Sequence, residues 1–295
     1  MILVIPADKI MKSMQSGSGH FCDRTGRIYE ENVLKNELIK IGPVTVYGYG
    51  LMIATGVLLA SFLMLSRAKK KDLDEDLAYS LIFGALIGGF AGAKCLFWIV
   101  NIRAILSEPG YLLYTLTDGF VVMGGLISGI LVCLWLCHKK GQRFLPYFDL
   151  FMPSIALAQG FGRIGCFLAG CCYGKETNHS WHVVFHDSAF APAGKALIPV
   201  QIYSSLLNFA NCAVLLMLSS GKSAQKKEGF IGGLYLILYG AGRFIMEFFR
   251  GDTERGMLGA LSLSQLLSCV FILTGIWLLF RAHLHSHVTV QTPTL

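Results

Sequence analysis

The sequence predicts an all-α membrane protein of seven transmembrane helices, with its N-terminus outside the membrane and its C-terminus in the cytoplasm. Three observations carry that prediction. Hydrophobic residues make up 54% of the 295-residue chain and charged residues only 15%, whereas about a quarter of a soluble domain is charged. Seven apolar stretches of roughly the 20 residues that cross a bilayer lie at 47–66, 77–100, 120–137, 148–171, 199–219, 229–249 and 259–280. Lysine and arginine, finally, are shared unevenly between the two sets of alternating connections.

The elements follow in order. Residues 1–46 are a mixed polar tail in which "MQSGSGHFCDRTGRIYEEN" has no apolar core; this stretch is neither a signal peptide nor a span. The connections after spans one, three and five, "RAKKK", "HKKGQR" and "GKSAQKKEG", together with Arg281 hold eleven Lys and Arg. The alternate connections hold five: Arg103, Lys175, Lys195, Arg250 and Arg255. The positive-inside rule assigns the richer set to the cytoplasm. That leaves the 1–46 tail outside, a transmembrane domain over 47–281 and a cytoplasmic tail over 282–295. Within span two, Gly84, Gly88 and Gly92 recur every four residues, a spacing that lets another helix approach closely.

Composition also excludes classes of function. No compact basic domain with interleaved aromatics is present, so nucleic acid is not an expected partner. The nine cysteines lie mostly in apolar segments, where cysteine behaves as a small hydrophobe, and they do not form a secreted disulfide framework. No internal repeat supports a transporter built from inverted halves.

Three basic residues fall inside spans: Lys94, Arg163 and Arg243. Lys94 stands near the outer end of its span, from where its stem can snorkel to the interface. Arg163 sits in "GFGRIGCFLAGCCYG", and an arginine at mid-membrane costs about 2.5–3.5 kcal/mol even on insertion scales. On a continuing helix it shares a face with Cys166, Phe167, Gly170 and Gly174, and small neighbours leave room for a bulky anion. In "LYGAGRFIMEFFRGD", Tyr239, Arg243 and Glu247 recur every four residues and Arg250 follows three later, forming one helix stripe. Glu247 can partner Arg243, as a buried pair fixing register or as part of a site. Two arginines on separate spans suit bidentate contact with a phosphate. Tyr49 opens span one and Gln201 opens span five, both at the outer face.

Together, "IGPVTVYGYGLM", "VVMGGLISGI", "GRIGCFLAGCCYG", "PVQIYSSLL" and "YGAGRFIMEFFRGD" resemble the prolipoprotein diacylglyceryl transferase family, in the family's own order. The resemblance runs from about residue 41 to residue 250. It implies a seven-span enzyme of the bacterial plasma membrane, working without a cofactor and facing the outer half of the bilayer. Its substrates would be phosphatidylglycerol and the lipobox cysteine at the signal peptide of a preprolipoprotein, and glycerol phosphate would be released. By position, Arg163 would bind the phospholipid and Arg243 would be the second essential arginine. Tyr49, Gly124, Gly125, Gly162, Gly165, Gln201, Tyr239 and Glu247 would line the site. The sequence departs from the family at Met123, where a histidine is usual before Gly-Gly-Leu. It departs again at Cys166 and Cys171, which replace the usual asparagine and glutamate.

Two other readings stand beside this one. A divergent relative could bind phospholipid without transfer or use another acceptor, and Met123 speaks for it. A metal site built from Cys166, Cys171, Cys172, His179, His182 and His186 is not expected. Adjacent Cys171 and Cys172 would face apart at a helix end, and the C-x4-C-C spacing is poor for a tetrahedral site.

Overall fold

Tyr47 ends a short strand in extended conformation, and from Gly48 the backbone turns helical without a break to Lys70. The computed structural model describes residues 20–22, 28–30, 37–41, 44–107, 110, 112, 115–116, 119–186, 188, 190–221, 228–252, 257–258 and 261–288. Most of the 1–46 tail therefore lies outside the described residues. Within it are two antiparallel hairpins, β1 (His20–Cys22) with β2 (Ile28–Glu30) and β3 (Glu37–Ile41) with β4 (Val44–Tyr47).

The helices are α1 (Gly48–Lys70), α2 (Glu75–Val100), the short α3 (Ile102–Ser107), α4 (Val122–Lys139), α5 (Phe144–Ala169), α6 (Val200–Ser219), α7 (Phe230–Glu247) and α8 (Leu263–Val288). Two-residue hairpins, β5 (Val183–Val184) with β6 (Ala196–Leu197) and β7 (Met257–Leu258) with β8 (Leu261–Ser262), lie in the connections. Six helices are long and apolar enough to cross a membrane: α1, α2, α4, α6, α7 and α8. Their outward faces carry large apolar side chains such as Leu58, Phe62, Phe83, Ile87 and Leu273, the reverse of a water-facing surface. The protein is thus a multi-pass membrane protein. Helix α5 has the length, at 26 residues, but Gln159, Arg163 and its glycines make it less apolar.

The chain divides into two units, Met1–Val33 with Tyr79–Gln142, and Leu34–Ala78 with Arg143–Leu295. In the first, the glycine pattern of α2 meets α4. A Cβ on Gly88 would lie 2.8 Å from Val132 Cγ2, and one on Gly92 would overlap the Ser128 side chain. Ser128 Oγ donates to the Gly88 carbonyl at 2.6 Å. Lys94 does not snorkel outward. It is buried and donates to the carbonyls of Thr115 and Gly119. Its ammonium stands 4.5 Å from the Phe120 ring centroid, a contact aromatic faces favour. These loop carbonyls supply what water would otherwise supply.

In the second unit, α5 is the central helix, packing on α1, α6 and α7, while α7 also packs on α8. Met152, Ala156, Cys212, Leu215, Ile231 and Tyr235 form its core. Two polar residues lock this packing. Arg67, counted above as a loop charge, is buried and donates to the Leu150 carbonyl at 2.7 Å. Asp149 accepts from the Gly229 and Gly232 amides at 2.8 and 2.7 Å. Its carboxylate thus serves the first turn of α7, where amides lack helical partners and the dipole favours negative charge. Asp149→Ala strands both buried amides, so a loss of about 1–3 kcal/mol is expected. Thermal unfolding of the detergent-solubilised protein measures it, and Asp149→Asn, which keeps one acceptor, should fall between.

Candidate functional site

Helix α5 carries Arg163 two turns past the core residue Ala156, and α7 carries Tyr239 and Arg243. The second unit brings them together. A pocket there is lined by Arg163, Tyr239, Gly242, Arg243 and Met246, and on the α6 side by Ser204, Leu207, Asn208 and Asn211. Arg163 makes no hydrogen bond or ion pair with any described residue. Its five donors are therefore available to whatever enters the pocket.

Arg243 is held instead of free. One guanidinium nitrogen donates to Ser264 Oγ at 3.0 Å and forms an ion pair with Glu247 Oε2 at 2.9 Å. The same Glu247 oxygen lies 3.6 Å from Arg250 Nη1, and Arg250 forms a fork with the Asp252 carboxylate. The stripe read from the sequence is therefore real. Arg250, past the end of α7, is buried; its Asp252 and Glu247 neighbours outweigh burial and keep its pKa raised. Three guanidinium groups face two carboxylates, which leaves one net positive charge, and Arg163 is the cation without a carboxylate.

The remaining expected residues are sorted by the structure. Tyr239 stacks on Tyr235, with ring centroids 5.5 Å apart and planes 13° apart. Tyr49 packs on Gly165, where a Cβ would stand 3.2 Å from the tyrosine ring. Gly162 faces open space, with nothing within 4 Å of a Cβ. Gly160, by contrast, is filled by Phe209, so of these glycines Gly162 faces open space, while Gly160 and Gly165 serve helix packing. Gln201 is fully buried; its amide nitrogen donates to the Cys171 carbonyl at 2.9 Å, while its carbonyl oxygen has no hydrogen-bond partner. Met123, Gly124 and Gly125 belong to the other unit. There Met123 packs with Phe97 and Val121, and a Cβ on Gly125 would lie 2.9 Å from the Gly89 carbonyl oxygen.

The cysteine expectation is corrected. The helix does not continue through Cys171 and Cys172; it ends at Ala169, and Gly170 takes φ +67°. The Gly170 amide then donates to Phe167 O and the Cys171 amide to Cys166 O, both at 3.1 Å. That pair of bonds is a Schellman motif, which folds the residue after the glycine back over the last turn. Gly174 consequently leaves the Arg163 face and pairs with Arg250. Cys166, Cys171 and Cys172 bring their sulfurs within 4.8 Å of one another. No histidine joins them among the described residues; His179 and His182 are exposed in the connection between α5 and α6. The eight cysteines from Cys95 to Cys269 are free thiols.

Ser204, Asn208 and Asn211 escaped the sequence reading, yet their spacing of four and three places them on one face of α6 below Gln201. That polar stripe in an otherwise apolar helix was the available signal.

Comparison with known proteins bears on this site. The family model for prolipoprotein diacylglyceryl transferase matches residues 36–281. A relative from Clostridium tetani named phosphatidylglycerol–prolipoprotein diacylglyceryl transferase is 44% identical over 83% of this chain and 96% of its own length. A second, from Clostridium perfringens, is 40% identical over 80% of this chain and 90% of its own. A third, from Sodalis glossinidius, is 32% identical over 85% and 95%.

Proposed function

The chain belongs to the prolipoprotein diacylglyceryl transferase family, and from that premise we propose how its pocket performs the family's reaction. It is a transferase of the bacterial inner membrane that moves diacylglyceryl from phosphatidylglycerol to prolipoproteins, a step of lipoprotein biosynthesis. The observation that carries the mechanism is the convergence of Arg163 and Arg243 on one pocket, with Arg163 lacking any protein counter-ion.

In this reading Arg163 takes the lipid phosphate as a planar fork, and Arg243, steadied by Glu247 and Ser264, faces the same group. The lipobox thiolate attacks the glycerol carbon that bears the phosphate ester. A carbon–sulfur bond forms, the carbon–oxygen bond breaks, and glycerol phosphate leaves with one more negative charge than it had in the diester. Preorganised cations aimed at that growing charge are worth most in a site sheltered from water. The same positive field favours the incoming thiolate. Where relatives of the family's usual pattern have a histidine, this chain has Met123, which accepts no proton at physiological pH. The departing phosphate, with a second pKa of about 6, can take up the thiol's proton instead.

The finer architecture follows the same premise. Helix α5 is read as the seventh span, the N-terminal tail 1–46 as extracytoplasmic, the 282–295 tail as cytoplasmic, and the pocket as opening to the outer half of the bilayer. The positive charge of the connections after α1, α4 and α6 supports that orientation. The acceptor is recognised at its signal peptide, and nucleic acid has no part.

The test is transfer of labelled diacylglyceryl from phosphatidylglycerol to a synthetic lipobox peptide by purified protein in detergent. Label on the peptide cysteine, with equimolar glycerol phosphate, is the expected result. Lipid binding by folded protein without release of glycerol phosphate would overturn the mechanism in favour of a binding role. Met123→His is expected to leave transfer present and raise its rate at most about 10²-fold, the lower range for a positioned base.

A further inference from the structure

The three sulfurs gathered by the Schellman turn have no part in the reaction above. Cys171 and Cys172 are buried, at 8% and 6% exposure, and they cluster with Ala169 and half-buried Cys166. Cys172 holds φ +56°. A left-handed backbone costs a residue with a Cβ about 1–2 kcal/mol, and such conformations persist where the surroundings over-determine them. Here the flanking chain is pinned on both sides. Gln201 holds the Cys171 carbonyl, and the Gly251 amide holds the Tyr173 carbonyl at 3.0 Å.

We propose that Cys166, Cys171 and Cys172 form a three-sulfur binding site for a soft monovalent cation, copper(I). Metal–sulfur bonds of about 2.3 Å in a trigonal site need sulfurs about 4 Å apart, so small side-chain rotations close the cluster on an ion. Thiolate donors select soft metals such as copper(I) and zinc. Zinc prefers four ligands; the cluster offers three and no imidazole or carboxylate among the described residues, which suits three-coordinate copper(I). Binding breaks three S–H bonds, forms three Cu–S bonds and releases three protons, with no change of oxidation state. The complex carries two net negative charges. Arg163 and Arg250, whose charges both act on Cys172, offset that cost in a low-dielectric setting.

A consequence follows that rests on the lipid-phosphate reading, whereas the metal site itself does not. A doubly negative complex beside Arg163 competes with the lipid phosphate for its charge, so copper occupancy is expected to reduce phosphatidylglycerol binding.

The experiment titrates the full-length protein in detergent with copper(I) under anaerobic conditions against the chelator bicinchoninate. Three proteins are compared: the unaltered chain, the double variant Cys171→Ser with Cys172→Ser, and a variant with Cys22, Cys95, Cys133, Cys137, Cys212 and Cys269 all replaced by alanine. The six-fold variant should retain one tight equivalent, with three sulfur neighbours by X-ray absorption, and the double variant should lose that equivalent while keeping its helical circular dichroism. No tight equivalent in the six-fold variant overturns the proposal. So does preferential uptake of zinc with an added oxygen ligand, or a disulfide among the three cysteines. Lipid binding unchanged by copper, with the stoichiometry intact, removes the regulatory consequence and leaves the metal site standing.

Discussion

Arg163→Ala is expected to reduce diacylglyceryl transfer about 10²–10³-fold, the usual effect of deleting one preorganised donor to a developing oxyanion, while leaving the protein folded. The reason lies in what Arg163 does not touch. It has no hydrogen bond or ion pair among the described residues, so its removal breaks no such bond and leaves no hydrogen-bond partner stranded. A side chain of that kind contributes little to stability, and relieving an unpaired charge in a low-dielectric region can even raise it. The measurement is paired: initial rates on the lipobox peptide, and thermal unfolding in the same detergent. Arg163→Lys keeps the charge but loses the planar fork and is expected to fall between. An alanine variant with full activity would sink the assignment. An alanine variant that unfolds several degrees earlier would show that Arg163 is a structural residue after all.

The contrast between Arg163 and its neighbours explains what was legible in the sequence. The α7 stripe of Tyr239, Arg243 and Glu247 could be read directly, because helical periodicity puts residues four apart on one face wherever the helix lies. The same periodicity would have revealed Ser204, Asn208 and Asn211 on α6. They were passed over because single serines and asparagines in an apolar run look incidental, whereas an arginine does not. Helix positions were legible too: each expected span contains a long helix, since hydropathy and length decide both.

Other features depended on turns or on distant partners. Cys166 and Cys171 looked ill placed as long as the helix was extended through Cys172. Gly170, four residues before the Gly174 that ends the motif's CCYG, was the stop signal, and a glycine there converts a C-x4-C spacing into a contact between the helix's last turn and the residue past its end. Asp149 could not be read as a helix cap, because the amides it serves lie 80 and 83 residues away. Lys94 likewise finds its carbonyls 21 and 25 residues on, in a loop with no pattern to announce them. Long-range pairing of single polar groups leaves no periodic trace, and these are the places where structure added to the sequence.

The second large effect is expected at Glu247, where the logic of Arg163 reverses. Its side chain is 2% exposed, and its Oε2 faces Arg243 at 2.9 Å and Arg250 at 3.6 Å. Those guanidinium groups are themselves largely buried, at 13% and 4% exposure. Removing one partner from a buried ionic cluster leaves uncompensated charge, which costs about 3–5 kcal/mol; Glu247→Ala should therefore unfold far earlier than the unaltered chain. Glu247→Gln keeps an oxygen for Arg243 but not the charge, so it should lose less stability. It is also expected to lose activity, because Arg243 would be drawn less firmly to its place between Ser264 and the pocket. The informative comparison is the double variant Glu247→Gln with Arg250→Gln, which removes one charge of each sign. Part of the stability should return, since the excess positive charge around Arg243 falls, while transfer stays low if positioning of Arg243 is what Glu247 supplies to the reaction. Equal losses of stability in the single and double variants would mean that the carboxylate is held by Arg243 alone and that Arg250 is bound to Asp252 as a separate pair.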